Sequence, residues 1–219
     1  MELGTIFWTA LAVGFSGAMM PGPLLTVTIG ETARRGFVAG PLLVLGHALL
    51  EVALVVLLVL GADRFLASEQ VNSAIALVGG AFLVFMGWSM YRDARRGRVS
   101  LQLDAGERPE GKPAGEEERR GLHPVPAGVL VSLSNPYWSL WWATVGLAYI
   151  TTSMARGTAG LAAFLSGHLL ADLVWYGLVA GAVAGGRRFM SQGVYRGIIA
   201  VCGVFLVCLG AYFVYRGIA

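Results

Sequence analysis

Two histidine–acid pairs buried in apolar sequence limit this chain more than any other feature. His47 and Glu51 lie four residues apart in Gly46-His47-Ala48-Leu49-Leu50-Glu51. The pattern returns as Gly167-His168-Leu169-Leu170-Ala171-Asp172, and 168 − 47 and 172 − 51 both give 121 residues. On a helix, positions i and i+4 share a face, so each pair makes one small polar patch. Ionisable groups inside membrane segments are costly, and they face a cavity or a partner rather than lipid. Two matching patches therefore predict one polar site built twice. The competing reading is that each pair satisfies itself and only locks helix packing.

Composition fixes the solvent. Of 219 residues, 56% are hydrophobic and 13% charged, with a mean hydropathy of +0.68. Soluble domains carry about 25% charge, so the chain reads as an all-α integral membrane protein whose partner is the lipid bilayer. The pI of about 9.1 does not point to nucleic acid, because the basic residues gather at helix ends rather than along a stripe. Cys202 and Cys208 fall in one apolar run. Six helical residues set them about 9 Å apart along the axis, too far for a disulfide. Leu3 to Gly17 follows Glu2 with no Lys or Arg before it, which favours a mature transmembrane helix over a signal peptide.

Six apolar runs follow one another. Run one, about 3–32, is interrupted by Met19-Met20-Pro21-Gly22-Pro23, and run four, about 126–154, by Ser134-Asn135-Pro136. Proline removes a backbone donor and glycine loosens the chain, so both runs should break there, near mid-membrane. Broken helices are tolerated at that depth only inside protein or along a wet cavity, and they aim a partly positive half-helix N-terminus at an anionic group. Tyr137, Trp138, Trp141 and Trp142 follow the second break at once and suit either a pathway or an interfacial belt. Runs two (37–62) and five (158–184) carry the histidine–acid pairs. Runs three (72–91) and six (194–215) share Gly-x-Phe-Leu-Val, at Gly80 to Gly87 and Gly203 to Gly210. Small-residue faces such as Gly36-x-x-x-Gly40 and Gly177, Gly181, Gly185 permit close helix approach and suit a homodimer.

The expected organisation is thus a first three-helix repeat (1–91), a flexible charged linker (92–125) and a second three-helix repeat (126–219). Three spans per half force the second to lie inverted relative to the first, the recurrent plan of secondary transporters with a site near the midplane. Arg34 and Arg35, the linker arginines and Arg187, Arg188 and Arg196 fall on one side, against Arg64, Arg156 and Arg216 on the other. The positive-inside bias then puts the linker in the cytoplasm and both termini outside.

At this point the residues resemble a known family, the LysE/RhtB amino-acid exporters. The Pro21-Gly22-Pro23 break carries the resemblance. It is joined by the glycine-spaced second helix, the Asn135-Pro136 opening of the fourth and Asp172-x-x-Trp175-Tyr176 in the fifth. Nearly the whole chain is covered except the linker, which is long and charged and has no counterpart in the resemblance. The likeness implies a six-helix inner-membrane carrier that expels amino acids or closely related small metabolites, driven by the proton gradient. On that reading Pro21, Gly22, Pro23, Asn135, Pro136 and Trp138 bind the substrate, and His47, Glu51, His168 and Asp172 couple it to protons. No cofactor and no resident metal are expected.

Two other classes compete. A metal-cation exporter would use the two histidines and two carboxylates as ligands, although thiolates suit a soft cation better. An intramembrane enzyme would use the same pairs as acid–base groups, with Ser166 near His168 as the one candidate nucleophile.

Overall fold

The computed structural model describes residues 1–20, 22–61, 69–97, 122–186, 189 and 191–218. Every regular element among them is helical: α1 (Leu3–Ala18), α2 (Pro23–Arg35), α3 (Ala39–Val59), α4 (Glu69–Arg95), α5 (Pro124–Leu133), α6 (Pro136–Trp141), a π-helical turn (Trp142–Gly146), α7 (Leu147–Met154), α8 (Gly157–Gly186) and α9 (Gln192–Ile218). Four helical stretches, in α3, α4, α8 and α9, are long and apolar enough to cross a membrane, and α1 with α2 makes a fifth as a bent pair. The expected fourth span is divided around the π turn into helices of 10, 6 and 8 residues. None reaches the roughly 20 residues that one crossing needs.

Both expected interruptions are real breaks. α1 stops at Ala18, and α2 restarts at Pro23 after an extended Gly22 (φ −158°, ψ −175°). The two helices meet at 76°. Pro21 lies outside the described residues. α5 stops at Leu133, and Asn135 caps α6 by accepting from the Tyr137 N–H at 3.1 Å. Each new helix has proline at its first position, where the missing N–H costs nothing because that donor has no partner within the helix. α4 runs on to Arg95 and α5 begins at Pro124, so ordered helix enters both ends of the 92–125 segment. Most of that segment, with Arg64, Arg187 and Arg188, lies outside the described residues.

Packing between the halves is reciprocal. α1 packs chiefly on α8, α5 chiefly on α3, and α4 lies along α9. Glycine makes these approaches close. A Cβ on Gly46 would run into the Val125 carbonyl, and one on Gly128 would run into that of Leu43. Gly80 meets Gly210 and Gly87 meets Gly203, each Cβ direction aimed at the opposing carbonyl. Rising numbers on one helix meet falling numbers on the other, so α4 and α9 run antiparallel. Gly36, at φ 86°, closes α2 in a backbone region that only glycine enters freely. The Gly177 and Gly185 positions have open space where a Cβ would stand. Arg35 donates to the Leu122 carbonyl (3.1 Å) and the Arg196 guanidinium sits beside Gly97, so arginines gather at one end of the bundle.

Candidate functional site

The site forms where the middles of α3 and α8 face the second break. His47 and Glu51 occupy the centre of α3, and His168 and Asp172 the centre of α8. All four are buried, Glu51 to 1% exposure. The helical spacing sets each pair on one face, and packing turns the two faces toward each other. Nε2 of His47 and Nε2 of His168 each stand 3.1 Å from the same Glu51 oxygen, Oε1. Asp172 Oδ2 lies 3.8 Å from His47 Nε2 and 3.6 Å from His168 Nε2. The four residues singled out for proton coupling are therefore one cluster.

The broken fourth run supplies the rest. Trp138 and Trp142 donate their indole N–H groups to Glu51 Oε1 at 3.2 and 3.1 Å. Trp142 begins the π turn, and its ring lies where a Cβ on Gly146 would stand. A π turn shifts the register of side chains along a helix, and such turns gather at functional sites. Here it accompanies an inward-facing indole. The His168 ring stacks on Trp141 with centroids 4.9 Å apart and meets Trp142 edge-on at 5.2 Å. His47 Nδ1 lies 2.7 Å from the Ser132 hydroxyl, which donates to the Gly128 carbonyl.

A cavity of about 130 Å³ opens beside this cluster. His47, His168 and Asp172 line one part of it, and Gly22, Pro23, Asn135 and Trp138 another, and Tyr176 of α8 also lines it. Glu51 and Pro136 are not among its lining residues; Glu51 sits behind the histidines and indoles. The two breaks adjoin, since a Cβ on Gly22 would stand 3.9 Å from Asn135 Nδ2. Among the described residues, Glu51 Oε2, Asp172 Oδ2 and His168 Nδ1 are buried without a hydrogen-bond partner. One ligand atom each from His47, Glu51 and Asp172 falls within 4.8 Å of the others, so that trio has the donors to hold a cation. Ser166 is exposed and donates to the Ala162 carbonyl of its own helix at 2.7 Å, so it faces away from the cluster.

Sequence reasoning missed Ser132 and gave Trp142 no contact. A lone serine two residues before a break is the only signal that Ser132 leaves in the sequence. The register of Trp142 depends on a π turn that no pattern announces.

Comparison with known proteins gives the family to which this sequence belongs. Residues 15–217 match the family model described as LysE type translocator. The chain belongs to this family. Two curated members cover almost the same length. The chemotactic transduction protein ChpE of Pseudomonas aeruginosa is 30% identical over 207 residues, 93% of this chain and 95% of that one. The "Putative amino acid efflux protein YcgF" of Bacillus subtilis is 25% identical over 214 residues, 97% of each chain. No solved structure matches. As a LysE-type translocator the chain is a membrane transporter with a small-molecule substrate.

Proposed function

We propose that this translocator is a secondary transporter that exports amino acids or closely related small metabolites across the inner membrane, driven by the proton gradient. It crosses the membrane six times as two inverted three-helix repeats, with helices one and four broken near the midplane. The observation that carries this reading is the cavity itself, bounded on one side by the adjoining breaks at Gly22 and Asn135 and on the other by the paired histidine–acid cluster. The α2 N-terminus offers unpaired backbone N–H groups and a partial positive charge to a substrate carboxylate. The unpartnered Asp172 Oδ2 suits the substrate ammonium or a proton. The reciprocal packing of α1 on α8 and α5 on α3, with the antiparallel α4–α9 pair, supports the inverted plan.

A second, larger cavity of about 580 Å³ lies toward the arginine-rich end, rimmed by Glu31, Arg34, Arg92 and Asp93. Buried apolar turns at Leu24–Val27 and Ala127–Val131 separate the two cavities. In this reading those turns are the cytoplasmic barrier that opens when substrate enters. Flux of radiolabelled amino acids from proteoliposomes, with and without a pH gradient, tests the proposal. Accumulation that ignores the gradient for every amino acid tried would reject proton driving.

The donor trio His47, Glu51 and Asp172 favours one second reading, export of a divalent cation. Two indoles and two histidine nitrogens already crowd Glu51 Oε1, so a metal would have to take the unpartnered Oε2. Zinc or cadmium flux from the same vesicles separates the two readings.

A further inference from the structure

The two histidines are related by the repeat, yet their outer ring nitrogens meet different surroundings. The α5 contacts of Gly46 (Val125 and Val129) and the α1 contacts of Gly167 (Phe7 and Leu11) are equivalent. That register makes Gly14 the counterpart of Ser132. Ser132 sits 2.7 Å from His47 Nδ1. Gly14 has no side chain to offer, a Cβ there would stand 3.3 Å from His168 Nδ1, and that nitrogen is buried without a partner among the described residues.

A hydroxyl has one proton. Ser132 gives its proton to the Gly128 carbonyl at 2.7 Å, so toward His47 it can only accept. With the hydroxyl proton placed there, the 2.7 Å contact calls for a hydrogen on His47 Nδ1. Its Nε2 then faces Glu51 Oε1 at 3.1 Å, and a hydrogen bond there requires one further proton between them. Oε1 already receives the N–H groups of Trp138 and Trp142, which suits an ionised oxygen. The added proton thus belongs on His47, where both N–H groups have acceptors. A proton added to Nδ1 of His168 would be a buried donor with none.

We propose that Ser132 is a positioning residue that makes the two histidines unequal. It fixes one ring hydrogen on His47 Nδ1, so that the transported proton is held between His47 Nε2 and Glu51 Oε1 while His168 serves as a fixed Nε2–H donor. The inference rests on the proton-driven reading above. The titratable groups that face His47 or share its cavity are Glu51 on its own helix, Asp172, His168 and Tyr176 on α8, and Tyr137 on α6; among the described residues α5 adds the Ser132 hydroxyl and the broken fourth run the indoles. When the proton leaves Nε2, Asp172 Oδ2 is an unpartnered acceptor 3.8 Å away. Two lone pairs then face each other across the His47–Glu51 contact, and it opens. Trp138 shares that carboxylate oxygen and lies three residues past Asn135, so the release is felt at the break.

The chain has three histidines, which makes 15N-histidine spectra of the purified full-length protein assignable through His47→Gln and His168→Gln. We expect His47 to appear as the Nδ1–H form or as the doubly protonated ring, and His168 as the Nε2–H form. Ser132→Ala should convert much of the neutral His47 to the Nε2–H form, and Ser132→Thr, which keeps the hydroxyl, should restore the original spectrum. In proteoliposomes supplied with radiolabelled amino acids, Ser132→Ala should move the pH midpoint of driven flux by about one unit, a tenfold change in proton balance, and Ser132→Thr should reverse it. An Nε2–H tautomer at His47 in the unaltered protein overturns the proposal, as does an unmoved spectrum or an unmoved pH profile in Ser132→Ala. Absence of driven flux in the unaltered protein would reject the transport reading instead, and the spectra would still decide the tautomer.

Discussion

At the scale of single residues, Glu51 is the hub of the buried cluster. Four N–H-bearing rings converge on its Oε1, and none reaches Oε2. Asp172 faces the same histidines from farther away, so the two acids divide the work: one anchors the cluster and the other stays open to the cavity. Glu51→Gln and Asp172→Asn keep the shapes and remove the charges. Each should lower gradient-driven amino-acid flux in proteoliposomes by roughly tenfold or more, equivalent to about 1.4 kcal/mol of barrier. Substrate exchange, which moves no net proton, should survive better. Driven flux and pH dependence left intact in both variants would make the acids structural, and the self-satisfied reading of the pairs would win. Trp142→Phe tests the anchor separately. It removes a buried donor to a charged acceptor and should cost about 1.5–3 kcal/mol of stability, read as an earlier thermal transition in detergent. The pairs themselves were legible in the sequence, because an acid four residues after a histidine in apolar sequence has few uses. Their convergence on one oxygen was not. It depends on how residues 121 positions apart pack, and on indoles that a break and a π turn rotate inward.

At the scale of elements, glycine and proline carry most of the information. Pro23 and Pro136 stand at the first positions of α2 and α6, and the breaks read from Met19–Pro23 and Ser134–Pro136 fall where proline forces them. The apolar pattern ends run three at Tyr91 and assigns Arg92 and Arg95 to the linker, whereas α4 continues to Arg95. In the last turn of a helix such cations are stabilised by the dipole, and the helix continues through them. The contact between α3 and α5 was visible only as a glycine at 46. Its cause is mutual: Gly46 and Gly128 each leave room for the other helix's backbone. Gly46→Val should therefore overfill the contact and destabilise the fold by about 1–3 kcal/mol or more, with loss of monodisperse protein on gel filtration. Gly177→Ala, with open space at the same test, should behave as the parent. Equal loss in both variants would mean that the α3–α5 approach is not what limits stability.

At the scale of the whole molecule, orientation decides what the cavities mean. Arg34, Arg35, Arg92, Arg95 and Arg196 lie at the end that also holds the larger cavity, and Arg156 lies at the turn between α7 and α8. Cytoplasmic loops carry the excess of arginine and lysine, so the larger cavity should be the inner vestibule from which an exporter loads. On the proposed export reading, the smaller central cavity, beyond Leu24, Val27, Ala127 and Val131, would be the step from which substrate leaves outward. This assignment fixes a topology that labelling can read. Cys202 and Cys208 are the only cysteines, so both are first replaced by serine. In that background a cysteine at the exposed Ala155 should react with a membrane-impermeant thiol reagent added to intact cells. One at the exposed Leu122 should react only after the inner membrane is permeabilised. The reverse pattern would turn the molecule over and make the 580 Å³ cavity an exit. The arginine asymmetry would then mark a function other than orientation, and the proton would have to be loaded at the end now read as the substrate entrance.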